Sequence, residues 1–168
     1  MVMKETISVS ANLDQVWPFV SDPVGQATWN EKIIDVRRKS HEPLQLGEQF
    51  GITYRMSGRE RDANVEVIVC NPPHEVQFRH QYRWKSQNRY AIEKYSMQQQ
   101  GNLVQVVQEI DLRDAGIPWF LRPLVWFLNR YGKPVGQTTM ESLKEVIEAS
   151  VSSADTQASS KQTTNSQN

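Results

Sequence analysis

His80 stands in the run Val76, Phe78, His80, Tyr82, Trp84, which alternates with Gln77, Arg79, Gln81 and Arg83. Strand alternation puts the imidazole on one face with apolar and aromatic neighbours. The reference pKa of an imidazole lies near neutrality, so the residue type suits a general base or a hydrogen-bonding anchor for a ligand. It also suits a core position in which a carbonyl or a tyrosine hydroxyl satisfies the ring. Gln108 poses the same question, because it interrupts Val104, Val106 and Ile110 on one phase of a strand. An unpaired buried amide costs on the order of 1–3 kcal/mol, so Gln108 needs a partner: Tyr54, Tyr82, water or a ligand. Tyr54 brings a hydroxyl to the face shared by Phe50, Ile52 and Met56.

Other chemistries find little support. The chain has no Gly-rich phosphate loop after a strand, no Gly-x-Ser-x-Gly elbow and no His-Glu-x-x-His. His41, His74 and His80 are not at metal-ligand spacing, so neither a metal nor another cofactor is expected. Cys70, the single cysteine, lies in a strand-like run and reads as a small core residue. Nineteen basic and nineteen acidic side chains balance, which argues against a nucleic-acid partner. Arg37, Arg38, Lys39 and the run Arg59-Glu60-Arg61-Asp62 read as solvated strand ends. No inward carboxylate or arginine is evident on the apolar faces.

The elements that would position these groups follow from periodicity. Phe50 to Met56, Val76 to Trp84 and Val104 to Leu112 show period two, the mark of strands with one face inward. Ile33 to Lys39, Asp62 to Cys70 and Tyr90 to Gln98 are weaker strands whose inner phase is open, since bulges reverse parity. With a first strand at Ile7 and Val9, they make an antiparallel meander. Asn12 caps a short helix that Pro23 stops after Asp22. From Gln137, the spacing of Met140, Leu143, Val146 and Ile147 gives an amphipathic helix. In residues 151–168, thirteen of eighteen are Ser, Thr, Gln or Asn, so a domain over 1–150 is followed by a tail expected to be disordered. Met1 to Ser10 alternates instead of forming an apolar block, and a cytoplasmic protein is expected. Ile117 to Tyr131 is apolar but only fifteen residues long, with Arg122 and Pro123 inside it, too short to span a bilayer.

The opening run Ser8-Val-Ser-Ala-Asn-Leu-Asp-Gln-Val-Trp17-Pro-Phe-Val-Ser-Asp22-Pro, followed by Trp29-Asn30, resembles the START-related helix-grip (SRPBCC) superfamily. This is the polyketide cyclase/dehydrase and lipid-transport superfamily. Gly47-Glu-Gln-Phe50, Asn71-Pro72-Pro73 and Leu143-Lys144 are similar to it as well. The resemblance implies an α+β helix-grip fold: a curved antiparallel seven-stranded sheet around a long carboxyl-terminal helix, with two short helices after the first strand. It also implies a cavity, with Trp29 and Trp119 near its mouth. The expected ligand-facing set is Trp29, Tyr54, Met56, Phe78, His80, Tyr82, Gln108, Trp119 and Phe120.

A greasy wall with a Tyr, a His and a Gln suits a lipid, isoprenoid, aromatic or polyketide-like molecule. Non-catalytic binding or transport of such a molecule is the leading expectation. A cyclase- or aromatase-like enzyme is the second, with His80 as base and Tyr54 or Tyr82 as donor. A third is an interaction module built on the apolar segment 117–131. That segment is too apolar all round to be solvated. It packs within the domain, meets a second copy, or dips into a membrane surface as a lid.

Overall fold

The structure, a computed structural model, describes residues 1–39, 42–56, 58–84, 87–116, 120, 123 and 138–165, with only the backbone at 56, 83, 84, 87, 88 and 155–165. Its strands are β1 (Val2–Val9), β2 (Ile33–Arg37), β3 (Gln49–Met56), β4 (Arg59–Asn71), β5 (Glu75–Trp84), β6 (Gln87–Gln100) and β7 (Leu103–Asp111). Helices α1 (Leu13–Ser21) and α2 (Pro23–Gln26) follow β1, and α3 (Thr139–Asn165) ends the described chain. All seven strands form one antiparallel sheet in the order β1-β7-β6-β5-β4-β3-β2. This is the α+β helix-grip arrangement.

Local chemistry explains the entry into the sheet. Asn12 Oδ1 accepts the Gln15 amide at 2.9 Å while Gln15 Oε1 accepts the Asn12 amide at 2.9 Å, a reciprocal cap that starts α1. Asp22 then caps α2 by accepting the Val24 and Gly25 amides, each at 3.0 Å, with Pro23 in the first turn. Asp22 is therefore both the end of one helix and the start of the next. Gly101, at φ +61°, supplies the left-handed residue that the tight β6–β7 turn requires.

The concave face of the sheet is apolar and covered at one end. Val9, Val65, Val67, Val76, Phe78, Val104 and Val106 are buried there with Val16 and Val20 of α1. Met140, Leu143 and Ile147 of α3 add three fully buried side chains, each contributing roughly 1.5–3 kcal/mol by burial. Thr138 Oγ1 donates to Glu5 Oε1 at 2.6 Å and the Ser10 amide to Glu148 Oε1 at 3.1 Å, so α3 runs along β1 toward α1. The convex face carries ion pairs: Lys4 with Glu109, Arg79 with Glu66, and Arg37 with Asp35 and Asp62. Exposed pairs of this kind add little stability, but they mark which phase of each strand faces water.

Two expectations change. Arg38 is not solvated: its side chain is only 5% exposed, and its guanidinium grips Glu48 at 2.7 and 2.9 Å and the Glu42 carbonyl at 2.7 Å. It straps down the β2–β3 connection. The helix also does not end at residue 150 but continues to Asn165. Residues 151–165 contain neither Pro nor Gly, so nothing local stops the helix once packing has nucleated it.

Candidate functional site

Toward the end of the concave face away from α1, the apolar wall gives way to a buried polar cluster. Four strands build it. Tyr54 comes from β3, His80 from β5, Glu93 and Tyr95 from β6, and Gln108 from β7. The register places Glu93 opposite Phe78 on one side and Ile110 on the other, and Tyr95 opposite Val76 and Gln108. All of these lie on the inner phase.

The Tyr54 hydroxyl lies 3.0 Å from His80 Nδ1. It crosses β4 above Ala63, which sits between β3 and β5 and is buried. A larger side chain at 63 would stand in that path. His80 Nε2 lies 3.1 Å from Glu93 Oε2, ion-pair distance, yet it has no hydrogen bond of proper geometry among the described residues. The facing carboxylate favours the proton on Nε2, leaving Nδ1 to accept from the Tyr54 hydroxyl. Glu93 Oε1 accepts from the Tyr95 hydroxyl at 2.7 Å and from Gln108 Nε2 at 2.6 Å. Gln108 Nε2 is also 2.9 Å from the Tyr95 oxygen.

Burial and charge decide the protonation states. Burial alone pushes the Glu93 carboxyl up; His80 beside it, with the Tyr95 and Gln108 donors, outweighs this and holds it below the ordinary value. Glu93 is therefore an anion inside an apolar wall. Burial first and the Glu93 charge second push Tyr54 well above the usual phenol range and Tyr82 up to about 12. Both stay protonated. The Tyr82 hydroxyl has no hydrogen-bond partner among the described residues. The neighbouring strands carry small residues near this level, Ala63 opposite Tyr82 and Ala91 opposite His80. The cluster combines donors (Tyr82 hydroxyl, His80 Nε2) with an anion–imidazole–phenol series.

The sequence-based set divides. Tyr54, His80 and Gln108 belong to one network, and Phe78 lies against His80 with ring centroids 6.2 Å apart. Gln108 finds its partners in Glu93 and Tyr95, not in Tyr54 or Tyr82. Trp29 is 3% exposed, its ring edge-on to Tyr95 at 6.3 Å and its indole N–H donating to the Phe19 carbonyl at 3.0 Å, so it packs in the core and not at a mouth. Phe120 is 63% exposed. The Met56 side chain, Trp119 and, except for Phe120 and Pro123, the apolar segment 117–131 lie outside the described residues. Cys70 donates to the Leu44 carbonyl and burial raises its pKa, which removes it from nucleophilic chemistry at neutral pH.

The absence of an inward carboxylate is overturned by Glu93. Its signal was the phase Ala91, Glu93, Tyr95, Met97, but Tyr90 and Ile92 make the opposite phase look equally apolar. Register settled the choice. Arg61 and Arg89 lie on the inner phase, as does Arg59 at the start of β4. Glu60 and Asp62 bond outward to Arg55 and Arg37, which turns Arg61 between them toward the concave side. Likewise Tyr90 packs its ring against Arg79 on the convex side, leaving Arg89 in phase with Ala91 and Glu93. Among the described residues no three His, Cys, Asp or Glu side chains group in a way that could hold a metal ion. A separate hollow of about 420 Å³ opens at the β2–β3 connection beside Lys39, Pro43, Leu46 and Glu48, and the cluster does not line it.

Known proteins place this geometry. The chain is similar to protein MLL2253 from Mesorhizobium loti, at 12% identity and a TM-score of 0.63, over 89% of this chain and 98% of that one. TTHA0849 from Thermus thermophilus matches at 16% identity and a TM-score of 0.62, over 92% and 99%. The major latex-like protein 151 from Panax ginseng matches at 10% identity and 0.59, over 86% and 95%. At these identities the likeness is one of fold. No curated protein matches the chain. The model of the family described as "Polyketide cyclase / dehydrase and lipid transport" matches residues 2–148, nearly the whole domain, and the chain belongs to that family.

Proposed function

We propose that the chain binds and carries a hydrophobic small molecule with a polar group, held without covalent change on the concave face at the Tyr54–His80–Glu93 level. One observation carries this reading. A buried polar cluster is set in an apolar wall, with His80 Nε2 lacking an aligned hydrogen bond although it lies 3.1 Å from Glu93 Oε2, and with Ala91 beside the ring on β6. Protein interiors seldom leave such a donor unused, since an unsatisfied buried donor costs on the order of 1–3 kcal/mol. A ligand oxygen would complete it. Lipids, isoprenoids, aromatics and polyketide-like compounds have the required form, a large apolar body with few polar atoms. The test is native mass spectrometry of the purified protein, followed by organic extraction of whatever it carries. A stoichiometric apolar compound supports carriage. A protein that stays empty and takes up no apolar fluorophore at micromolar concentration would refute it.

A second reading rests on the order of groups in the cluster. Carboxylate, imidazole and phenol in series can pass a proton: Tyr54 takes one from a substrate carbon beside a carbonyl as its own moves to His80 Nδ1, and Glu93 stabilises the imidazolium. Return of the proton completes a cycle with no other reactant. Incubation of 2-tetralone, an apolar enolisable ketone, in deuterated buffer tests this. Faster exchange at its activated carbon with the wild type than with Tyr54→Phe favours an enzyme, and equal rates leave carriage alone.

A further inference from the structure

We propose that Tyr95 and Gln108 are positioning residues: acting through Glu93, they fix which imidazole nitrogen of His80 carries the proton, and hence which way the Tyr54 hydroxyl points. Both act from fixed places. Tyr95 is fully buried on β6, two residues from Glu93, with its ring edge-on to Trp29, and Gln108 stands directly opposite it on β7. Gln108 Nε2 lies 2.6 Å from Glu93 Oε1 and 2.9 Å from the Tyr95 oxygen, so both amide hydrogens are in use. The reversed amide would set a carbonyl oxygen against an anion. With its oxygen accepting from Gln108, Tyr95 turns its own proton to Glu93 Oε1 at 2.7 Å. Two donors thus hold one carboxylate oxygen, and the other faces His80 Nε2 at 3.1 Å.

The place of the proton on His80 follows from that arrangement. A bare Nε2 would turn its lone pair on the carboxylate, whereas an N–H there is attracted at this distance even without good alignment. Nδ1 is then the bare nitrogen, and the Tyr54 hydroxyl 3.0 Å away donates to it. Every proton in the series points toward Glu93. In Glu93→Gln the order reverses. The one remaining oxygen stays where Tyr95 and Gln108 donate, and an amide NH2 takes the place of Oε2 against His80. His80 loses its acceptor, must carry its proton on Nδ1, and turns the Tyr54 hydrogen away from the ring. The placement of the proton stands on geometry alone. Its consequence for catalysis rests on the second reading above, because Tyr54 can pass a proton to His80 only while Nδ1 is bare.

The experiment is nitrogen-15 NMR of the full, untagged chain at about pH 8, above the reference imidazole value. A His41→Gln/His74→Gln parent makes His80 the only imidazole. Its Nε2 should show the shift of a protonated ring nitrogen and its Nδ1 that of a bare one. Glu93→Gln should exchange the two. Tyr95→Phe, which keeps the ring against Trp29, and Gln108→Leu should each narrow the separation as the two tautomers mix. A parent chain protonated on Nδ1, or on both nitrogens, overturns the proposal without any further variant. So does a separation unchanged in both Tyr95→Phe and Gln108→Leu, which would assign those side chains to packing alone. Deuterium exchange of 2-tetralone is a separate readout, and Glu93→Gln should slow it to the rate of Tyr54→Phe. Exchange no faster in the parent than in Tyr54→Phe strikes at the enzyme reading, while the NMR spectrum still decides the place of the proton.

Discussion

Glu93 holds its charge in the interior because three groups converge on it, His80 on one oxygen and Tyr95 with Gln108 on the other. Removing that charge takes away the buried acceptor that His80, Tyr95 and Gln108 share, and an unsatisfied buried polar group costs on the order of 1–3 kcal/mol. Glu93→Gln should therefore lose about that much in urea unfolding at pH 7. The pH dependence follows from the direction of the shift. Glu93 is lower in the folded protein than its ordinary 4.5, so its stabilisation is full above that value and drains away as pH falls through the lower folded one. Glu48 beside Arg38 and Asp111 beside Arg113 shift in the same direction. Wild-type stability should fall below about pH 4.5, and Glu93→Gln should fall less steeply there; parallel curves would assign the acid limb to the other two carboxylates. Tyr54 and His80 were legible from one strand phase each. Glu93 was not, because Tyr90 and Ile92 offered a second apolar phase that only pairing with β5 and β7 could reject.

At the scale of elements, the strands were legible nearly to their ends, since period two and turn residues are written locally. So was the start of α1, where Asn12 was expected to cap and does. Asn12→Ala should cost about 1 kcal/mol in chemical denaturation, and Gln15→Ala a smaller amount. Arg38 shows what local reading misses. Its neighbours Arg37 and Lys39 are hydrophilic, yet its partner Glu48 lies across the β2–β3 connection, and only the folded turn brings them together. The same holds for Ala63. Alanine in a strand reads as weak propensity, whereas here its small size lets Tyr54 cross β4 to His80. Ala63→Leu should block that crossing and crowd the concave face beside Tyr82. The expected outcome is loss of apolar fluorophore uptake with the fold retained by circular dichroism.

For the molecule as a whole, the described core contacts of α3 end near Val151, the last of its residues packed against the core. Removal of residues 155–168 should shift the melting temperature by no more than about 2 °C, measured by circular dichroism. A larger fall would mean that the last turns of the helix carry packing energy. One further property follows from how the sheet is closed. β1 pairs with β7, joining Val2 to Asp111, while β2 through β6 pair only with their sequence neighbours. During synthesis the hairpins from β2 to β6 can form as they leave the ribosome, but β1 emerges first and waits for a partner about a hundred residues behind it. Until β7 appears, the nascent chain carries an unpaired strand with Ile7 and Val9 uncovered. The final ladder, and the seating of α3 against β1, are thus the slow and aggregation-exposed steps of its folding.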